Sequence, residues 1–75
     1  MHDQNQEIIK TAVMSVVALN QNLVIGSFRR ERGAWGKLAG QGVLTARHLL
    51  GRRLTVTERR VIWGLLWEHV AQIKD

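Results

Sequence analysis

Residues 55–73, TVTERRVIWGLLWEHVAQI, carry the strongest helix signal in the chain. Thr55 and Glu58 have the Ser/Thr-x-x-Glu spacing of a capping box, in which the two residues exchange hydrogen bonds across the first turn of a helix. Behind this box, apolar residues recur at intervals of three and four, which is the period of one helix face. That face comprises Ile62, Leu65, Leu66, Val70 and Ile73, with His69 among them. The pattern predicts a helix over residues 56–73.

This helix has an unusually wide apolar surface, because Val61, Trp63 and Trp67 lie beside the central face. At about 100° per residue the apolar arc spans roughly 240°, whereas a helix at the surface of a globular protein needs about 100°. The helix is therefore either central in a monomer or in contact with another subunit. A chain of 75 residues buries only about 60% of its unfolded surface. We therefore expect a homodimer, with the two tryptophans as interface anchors.

A second helix is predicted over residues 31–50. Its apolar stripe comprises Trp35, Ala39, Gly42, Val43, Ala46, Leu49 and Leu50, and Gly51 is a typical helix stop. Gly33, Gly36 and Gly40 form a ridge beside the stripe. Because glycines have no Cβ, this ridge permits the close approach of another helix, which makes Gly36 and Gly40 candidate interface residues. Alternatively, residues 29–36 form a loop and the helix begins later.

A first helix is predicted over residues 4–25, where apolar residues again recur at three and four. Asn20 falls within its apolar face. A buried asparagine often sets register and subunit number in helical assemblies, so Asn20 is a candidate interface residue. Two alternatives are a helix that ends near Leu19 before a turn at 20–22, and a β-hairpin formed by residues 11–28. The sequence thus predicts one all-α domain over residues 1–75, with three helices, completed as a homodimer bundle.

Basic residues outnumber acidic ones by 11 to 6, and the formal net charge is +5. The excess lies in residues 26–53, where seven Lys or Arg accompany a single acid, Glu31. Such a distribution is typical of proteins that bind polyanions. The candidate nucleic-acid-binding residues are Arg29, Arg30, Arg32, Lys37, Arg47, Arg52, Arg53, Arg59 and Arg60. Lys37, Gln41 and His48 share the outer face of the second helix and are placed to reach base edges, although all these groups would also suit solvated turns.

Catalytic and metal-binding patterns are not found in this sequence. There is no cysteine, and the three histidines, His2, His48 and His69, are scattered. The glycines near residue 36 lack the spacing of a phosphate-binding loop. We expect no enzyme activity and no cofactor. The apolar residues 8–28 contain Lys10 and the amides at 20–22, so we predict no transmembrane segment and a cytoplasmic protein.

Two functional classes follow from these features. The first is a small regulatory protein that binds nucleic acid, with DNA and transcriptional regulation as the expected case, as a homodimer through the basic middle segment. The alternative is an adaptor or inhibitor that grips a partner protein through an exposed helical surface of tryptophan and glycine. Binding to nucleic acid should depend steeply on salt, whereas binding through buried tryptophans should not.

Overall fold

The chain forms four α-helices in a computed structural model that describes residues 4–73. They are α1 (Gln4–Leu19), α2 (Gln21–Phe28), α3 (Ala34–Leu50) and α4 (Val56–Ala71). The predicted all-α class is confirmed. The predicted count of three helices is wrong, because the first predicted helix, 4–25, is divided into α1 and α2. The alternative of a β-hairpin over residues 11–28 is also wrong, since both halves of that segment are helical.

Asn20 forms a sharp corner between α1 and α2, whose axes are bent by 87°. Its side-chain Nδ2 donates to the carbonyl oxygen of Val16 at 2.9 Å. Its own carbonyl oxygen accepts from the backbone N–H groups of Leu23 and Val24 at 2.9 and 3.0 Å, which starts α2. Asparagine competes with the backbone for hydrogen bonds in this way, and so it ends one helix and begins the next. The alternative of a turn at residues 20–22 is therefore correct about where α1 ends.

The connection between α2 and α3 begins with Arg29, and the next residue, Arg30, has a left-handed backbone with φ 59°. Two hydrogen bonds close the end of α2, from the Arg30 N–H to the Ser27 carbonyl and from the Glu31 N–H to the Gly26 carbonyl, at 3.1 and 2.8 Å. This is a Schellman motif with arginine in the position usually taken by glycine. Gly33, with φ 80°, precedes α3. The predicted start at residue 31 is therefore three residues early, and Gly36 and Gly40 are helical.

The core lies where α1, α3 and α4 meet, and its largest fully buried side chains are Val13, Leu38, Ile62, Leu66 and Val70. α3 and α4 are antiparallel, since Trp35 in the first turn of α3 packs against Trp67 late in α4. The two rings are edge to face, with centroids 5.5 Å apart. The closest backbone approach is at Gly42, where an added Cβ would lie 2.8 Å from Leu66 Cδ1 and 2.9 Å from Ile62 Cγ2.

The glycine ridge predicted from the sequence does not make that close approach. A Cβ built on Gly33, Gly36 or Gly40 meets nothing within 4 Å, so no helix of this chain lies on them. Gly42, which the sequence analysis placed in the apolar stripe, has this role instead. Gly42 has this role because α4 crosses α3 over the buried apolar stripe of α3, where the side chains of Ile62 and Leu66 lie against the α3 backbone.

The helix stop at Gly51 and the capping box of Thr55 and Glu58, both predicted from the sequence, are confirmed. Gly51 follows α3 with φ 70°, and its N–H donates to the Arg47 carbonyl at 2.9 Å. At the start of α4, the Glu58 N–H donates to Thr55 Oγ1 at 3.1 Å, and the Thr55 N–H donates to Glu58 Oε1 at 2.8 Å. The capping box is thus complete. α4 ends at Ala71, two residues before the predicted end.

Within the described part of the chain, no single helix is both long enough and apolar enough to cross a membrane. α1 and α2 reach that length and composition only as a pair, across the bend at Asn20.

Candidate nucleic-acid interface

Basic side chains converge on an open groove at the end of α3, with a volume of about 560 Å³. Gly51 reverses the chain direction there, which brings the following arginines back beside the last turn of α3. We call this surface the basic groove, and it is lined by Leu44, Arg47, His48, Gly51, Arg52 and Arg53. Three of the nine predicted nucleic-acid-binding residues therefore share one concave surface.

Arg52 differs from the other arginines of the basic groove because its charge is paired. Its Nη1 and Nη2 donate to Oε1 and Oε2 of Glu58 at 2.8 and 2.7 Å. This bidentate ion pair is the only one that the structure shows between residues 4 and 73. The hydrogen bonds to Glu58 raise the pKa of Arg52 above its ordinary value. Attraction of an anion to the groove therefore depends mainly on Arg47 and Arg53, while Arg52 holds the turn in place.

Glu58 gives this turn a dependence on pH. Hydrogen bonds from Arg52, and then from the Thr55 backbone, lower the pKa of Glu58 from 4.5 to about 2. A carboxylate whose pKa is depressed by folding stabilises the folded state above its unfolded pKa, and this contribution is lost as pH falls toward the folded pKa. The loss should therefore occur between pH 4.5 and about 2.

A Glu58→Gln variant tests this dependence, because glutamine can keep the capping box but carries no charge. We expect the variant to melt below the wild-type protein at neutral pH. The difference in Tm should narrow as pH falls from 4.5 to about 2, because the wild-type carboxyl becomes increasingly protonated over this range. Glu7→Gln, an exposed site in the first turn of α1, is the matched control. A difference in Tm that stays constant over this range would contradict the assignment.

The other predicted basic residues lie at two places. Arg59 and Arg60 are exposed near the start of α4. Lys37, in the first turn of α3, and Arg29, Arg30 and Arg32, in the α2–α3 connection, lie at the other end of α3 from the basic groove. α3 has 17 residues, which corresponds to a rise of about 25 Å. The predicted site is therefore two basic clusters at the ends of one helix.

A second groove lies between α3 and α4, with a volume of about 400 Å³. We call it the aromatic groove, and it is lined by Gly36, Ala39, Gly40, Val43, Arg59 and Trp63. Trp63 is 40% exposed there. The fold thus brings together three of the predicted interface residues, Gly36, Gly40 and Trp63. No side chain among residues 4–73 covers the two glycines.

The remaining predicted interface residues do not line the aromatic groove. Trp67 is exposed but packs against Trp35 within the chain. Val61 lies about 200° around α4 from Trp63 and one turn before Leu65, which lines a groove between α1 and α4. Asn20 is at the α1–α2 corner, where its amide already has an intrachain partner. Their participation in a subunit contact stays a prediction. Trp67 follows Trp63 by one turn on the same side of α4, whereas Val61 and Asn20 lie away from that side.

Leu44 is a site residue that the sequence analysis missed, since it lies outside the apolar stripe of α3. Its side chain is 58% exposed in the wall of the basic groove. It follows Gly36 and Gly40 at intervals of four, which places all three on the outer face of α3. On α3 the lining of the aromatic groove ends at Val43 and that of the basic groove begins at Leu44, so the two grooves follow one another along the helix. The recurrence of Gly36, Gly40 and Leu44 at intervals of four, outside the apolar stripe, is the sequence pattern that could have identified Leu44.

The histidines of the described region are separate. His48 lines the basic groove, and His69 lines a small groove between α1 and α4 with Lys10, Val13, Met14 and Leu65. Among residues 4–73 no three His, Asp or Glu side chains are grouped so that they could hold a metal ion.

No known family model matches this chain, and no curated protein or solved structure is similar to it. The two grooves are therefore interpreted from the chemistry of their own residues.

Proposed function

We propose that this chain is a small non-catalytic regulatory protein that binds nucleic acid through the basic groove. The observation that carries the proposal is the convergence of Arg47, Arg53 and His48 on one open groove in which, among residues 4–73, only Arg52 is neutralised by an acid. Guanidinium groups without carboxylate partners are well suited to phosphate oxygens.

The distribution of charge supports an extended ligand. Residues 4–73 contain ten Lys or Arg and four Glu. The cluster at Arg29, Arg30 and Arg32 lies about 25 Å from the basic groove. A small anion would occupy one cluster alone, whereas a nucleic acid strand presents phosphates over this whole distance.

The test is the salt dependence of binding to labelled oligonucleotides. We expect log K to fall linearly with log salt concentration, with a slope steeper than about −3, because each neutralised phosphate contributes about −0.7 to −0.9. Glu7→Gln, which changes the net charge by one unit on exposed α1 surface without removing a cation, should leave the slope almost unchanged. Absence of binding at about 50 mM salt, or a slope near zero, would overturn the proposal.

The proposed protein is a homodimer, and the flank of α4 that faces α1 is the best-suited contact. Met14, 65% exposed, and Val61 give this flank apolar surface. Its charges have both signs, with Lys10 on α1 and Glu68 on α4, so two copies can attract each other. A second copy on the outer face of α3 would instead place Arg47 and Arg59 against like charges, which is unfavourable.

Sedimentation equilibrium tests this arrangement. The wild-type protein should sediment as a species of about twice the 8.5 kDa chain mass. Met14→Glu should shift it toward the monomer at micromolar concentration, because a carboxylate would be buried in an apolar contact. Leu44→Glu, a similar change on the outer face of α3, should not. A wild-type monomer that remains folded at high concentration would contradict the dimer.

A protein-binding adaptor is the second candidate, and the aromatic groove is the observation in its favour. Exposed Trp63 beside the bare glycines is a surface on which another helix could pack. An adaptor should lose its partner on Trp63→Ala and respond weakly to salt. Trp67 is less suitable for this test, because its removal would also disturb Trp35 within the chain.

A further inference from the structure

We propose that the aromatic groove receives unpaired bases of the strand whose phosphates lie along the basic groove, so that the ligand is single-stranded nucleic acid. This inference rests on the proposed function and adds the class of nucleic acid to it. The observation that carries it is the position of exposed Trp63 beside Gly36 and Gly40, next to the arginines of the basic groove.

The shape of the aromatic groove suits a flat apolar ring. Gly36 and Gly40 leave the backbone of α3 uncovered, and Ala39 and Val43 complete an apolar floor. Trp63 presents its ring in the adjoining wall. A base that lies against this floor can stack on the indole, and such stacking tolerates any base because every base has a π-face. The volume of about 400 Å³ is within the usual range of small-molecule sites, about 300–1,000 Å³.

The fold itself does not require glycine at these two positions. Alanine would meet nothing within 4 Å at Gly36 or Gly40. Glycine inside a helix is less favourable than alanine because its backbone loses more conformational freedom on folding. A ligand that lies directly on the α3 backbone explains why glycine, and not alanine, occupies both positions.

The two grooves follow one another along α3 and carry charges of the same sign. Val43 and Leu44 are neighbours on α3, and each lines one of the grooves. Arg59 lines the aromatic groove and Arg47 the basic groove, so a strand crossing both would meet cations beside its phosphates throughout. In a duplex the faces of the bases are already stacked and cannot reach Trp63. The surface therefore favours an unpaired strand.

The experiment compares a single strand of about ten nucleotides with the duplex of the same sequence, measured by fluorescence anisotropy of labelled strands. We expect the single strand to bind at least about tenfold more tightly. Trp63→Leu should weaken single-strand binding about tenfold without changing the salt slope, and Trp63→Phe should restore part of the affinity, since stacking is not ionic.

Gly40→Leu is the second variant, because it fills the groove floor while Trp63 and all the charges stay in place. The open space at Gly40 means that the variant should fold, which circular dichroism would verify, and it should also weaken single-strand binding. Equal affinity for duplex and single strand, with no effect of either variant, would overturn this inference and leave the basic groove as the binding site.

Two further outcomes separate the proposals. If neither form of nucleic acid binds, the proposed function fails and this inference fails with it. If the Trp63→Leu change converts a dimer to a monomer or releases an acidic partner protein, while strand binding is unchanged, the aromatic groove is a protein contact and base stacking there is wrong.

Discussion

Replacement of Arg47 and Arg53 together by alanine should lower affinity for nucleic acid about 100-fold at about 100 mM salt and reduce the log–log salt slope by about two. Both guanidinium groups line the basic groove, and neither has an acidic partner among residues 4–73. A charged hydrogen bond to phosphate contributes roughly 1.5 kcal/mol or more, which is about tenfold in affinity for each arginine.

The choice of these two arginines follows from the structure. Arg52 lies in the same groove, but its removal would release Glu58 and disturb the turn before α4. A loss of affinity in an Arg52 variant would therefore mix binding with folding. Circular dichroism should show Arg47→Ala/Arg53→Ala to be as stable as the wild-type protein. A folded double variant that binds within twofold of the wild type would remove the basic groove from the proposal.

Gly42→Val should lower the free energy of unfolding by about 2–3 kcal/mol. Even a Cβ at this position would lie within 2.9 Å of atoms of Leu66 and Ile62, and both of those side chains are fully buried. The added methyl groups would force α3 and α4 apart or push the core side chains out of their rotamers. For a chain of 75 residues this is a large share of a total stability of roughly 4–11 kcal/mol.

Gly40→Val is the matched control, since it makes the same change two residues away on the open side of α3. It should leave stability unchanged or slightly raised, because valine is a somewhat better helix former than glycine. Urea denaturation followed by circular dichroism measures both variants. Equal stability of the two would mean that α4 does not cross α3 at Gly42.

Much of α4 and the end of α3 could be predicted from local sequence. The capping box of Thr55 and Glu58 and the stop at Gly51 act through hydrogen bonds and backbone conformation within a few residues. The stripe of Ile62, Leu66 and Val70 is buried as its periodicity indicates. These features depend on neighbours along the chain, so a pattern of residues is sufficient to find them.

The candidate site was predicted only in part. The arginines were predicted to form a polyanion-binding group, which stays a prediction. Trp63 and Trp67 were predicted to form one surface with the glycines, and of these Gly36, Gly40 and Trp63 line one groove. However, Arg52 differs from the other arginines because its charge is paired with Glu58. That ion pair forms only when the turn at Gly51 brings the two side chains together. Charge composition does not distinguish a paired guanidinium from an unpaired one, so this difference could not be predicted.

Local sequence alone was enough to establish the all-α class, the start of α4 and the end of α3, because hydrogen bonds and helical period are short-range. The corner at Asn20 and the close approach at Gly42 depended on three-dimensional packing. At Asn20 two interpretations of the sequence were equally favourable, and at Gly42 several glycines were available. Where α4 crosses α3 determines that Gly42 is the glycine in close contact, because the apolar stripe of α3 is buried against the side chains of α4.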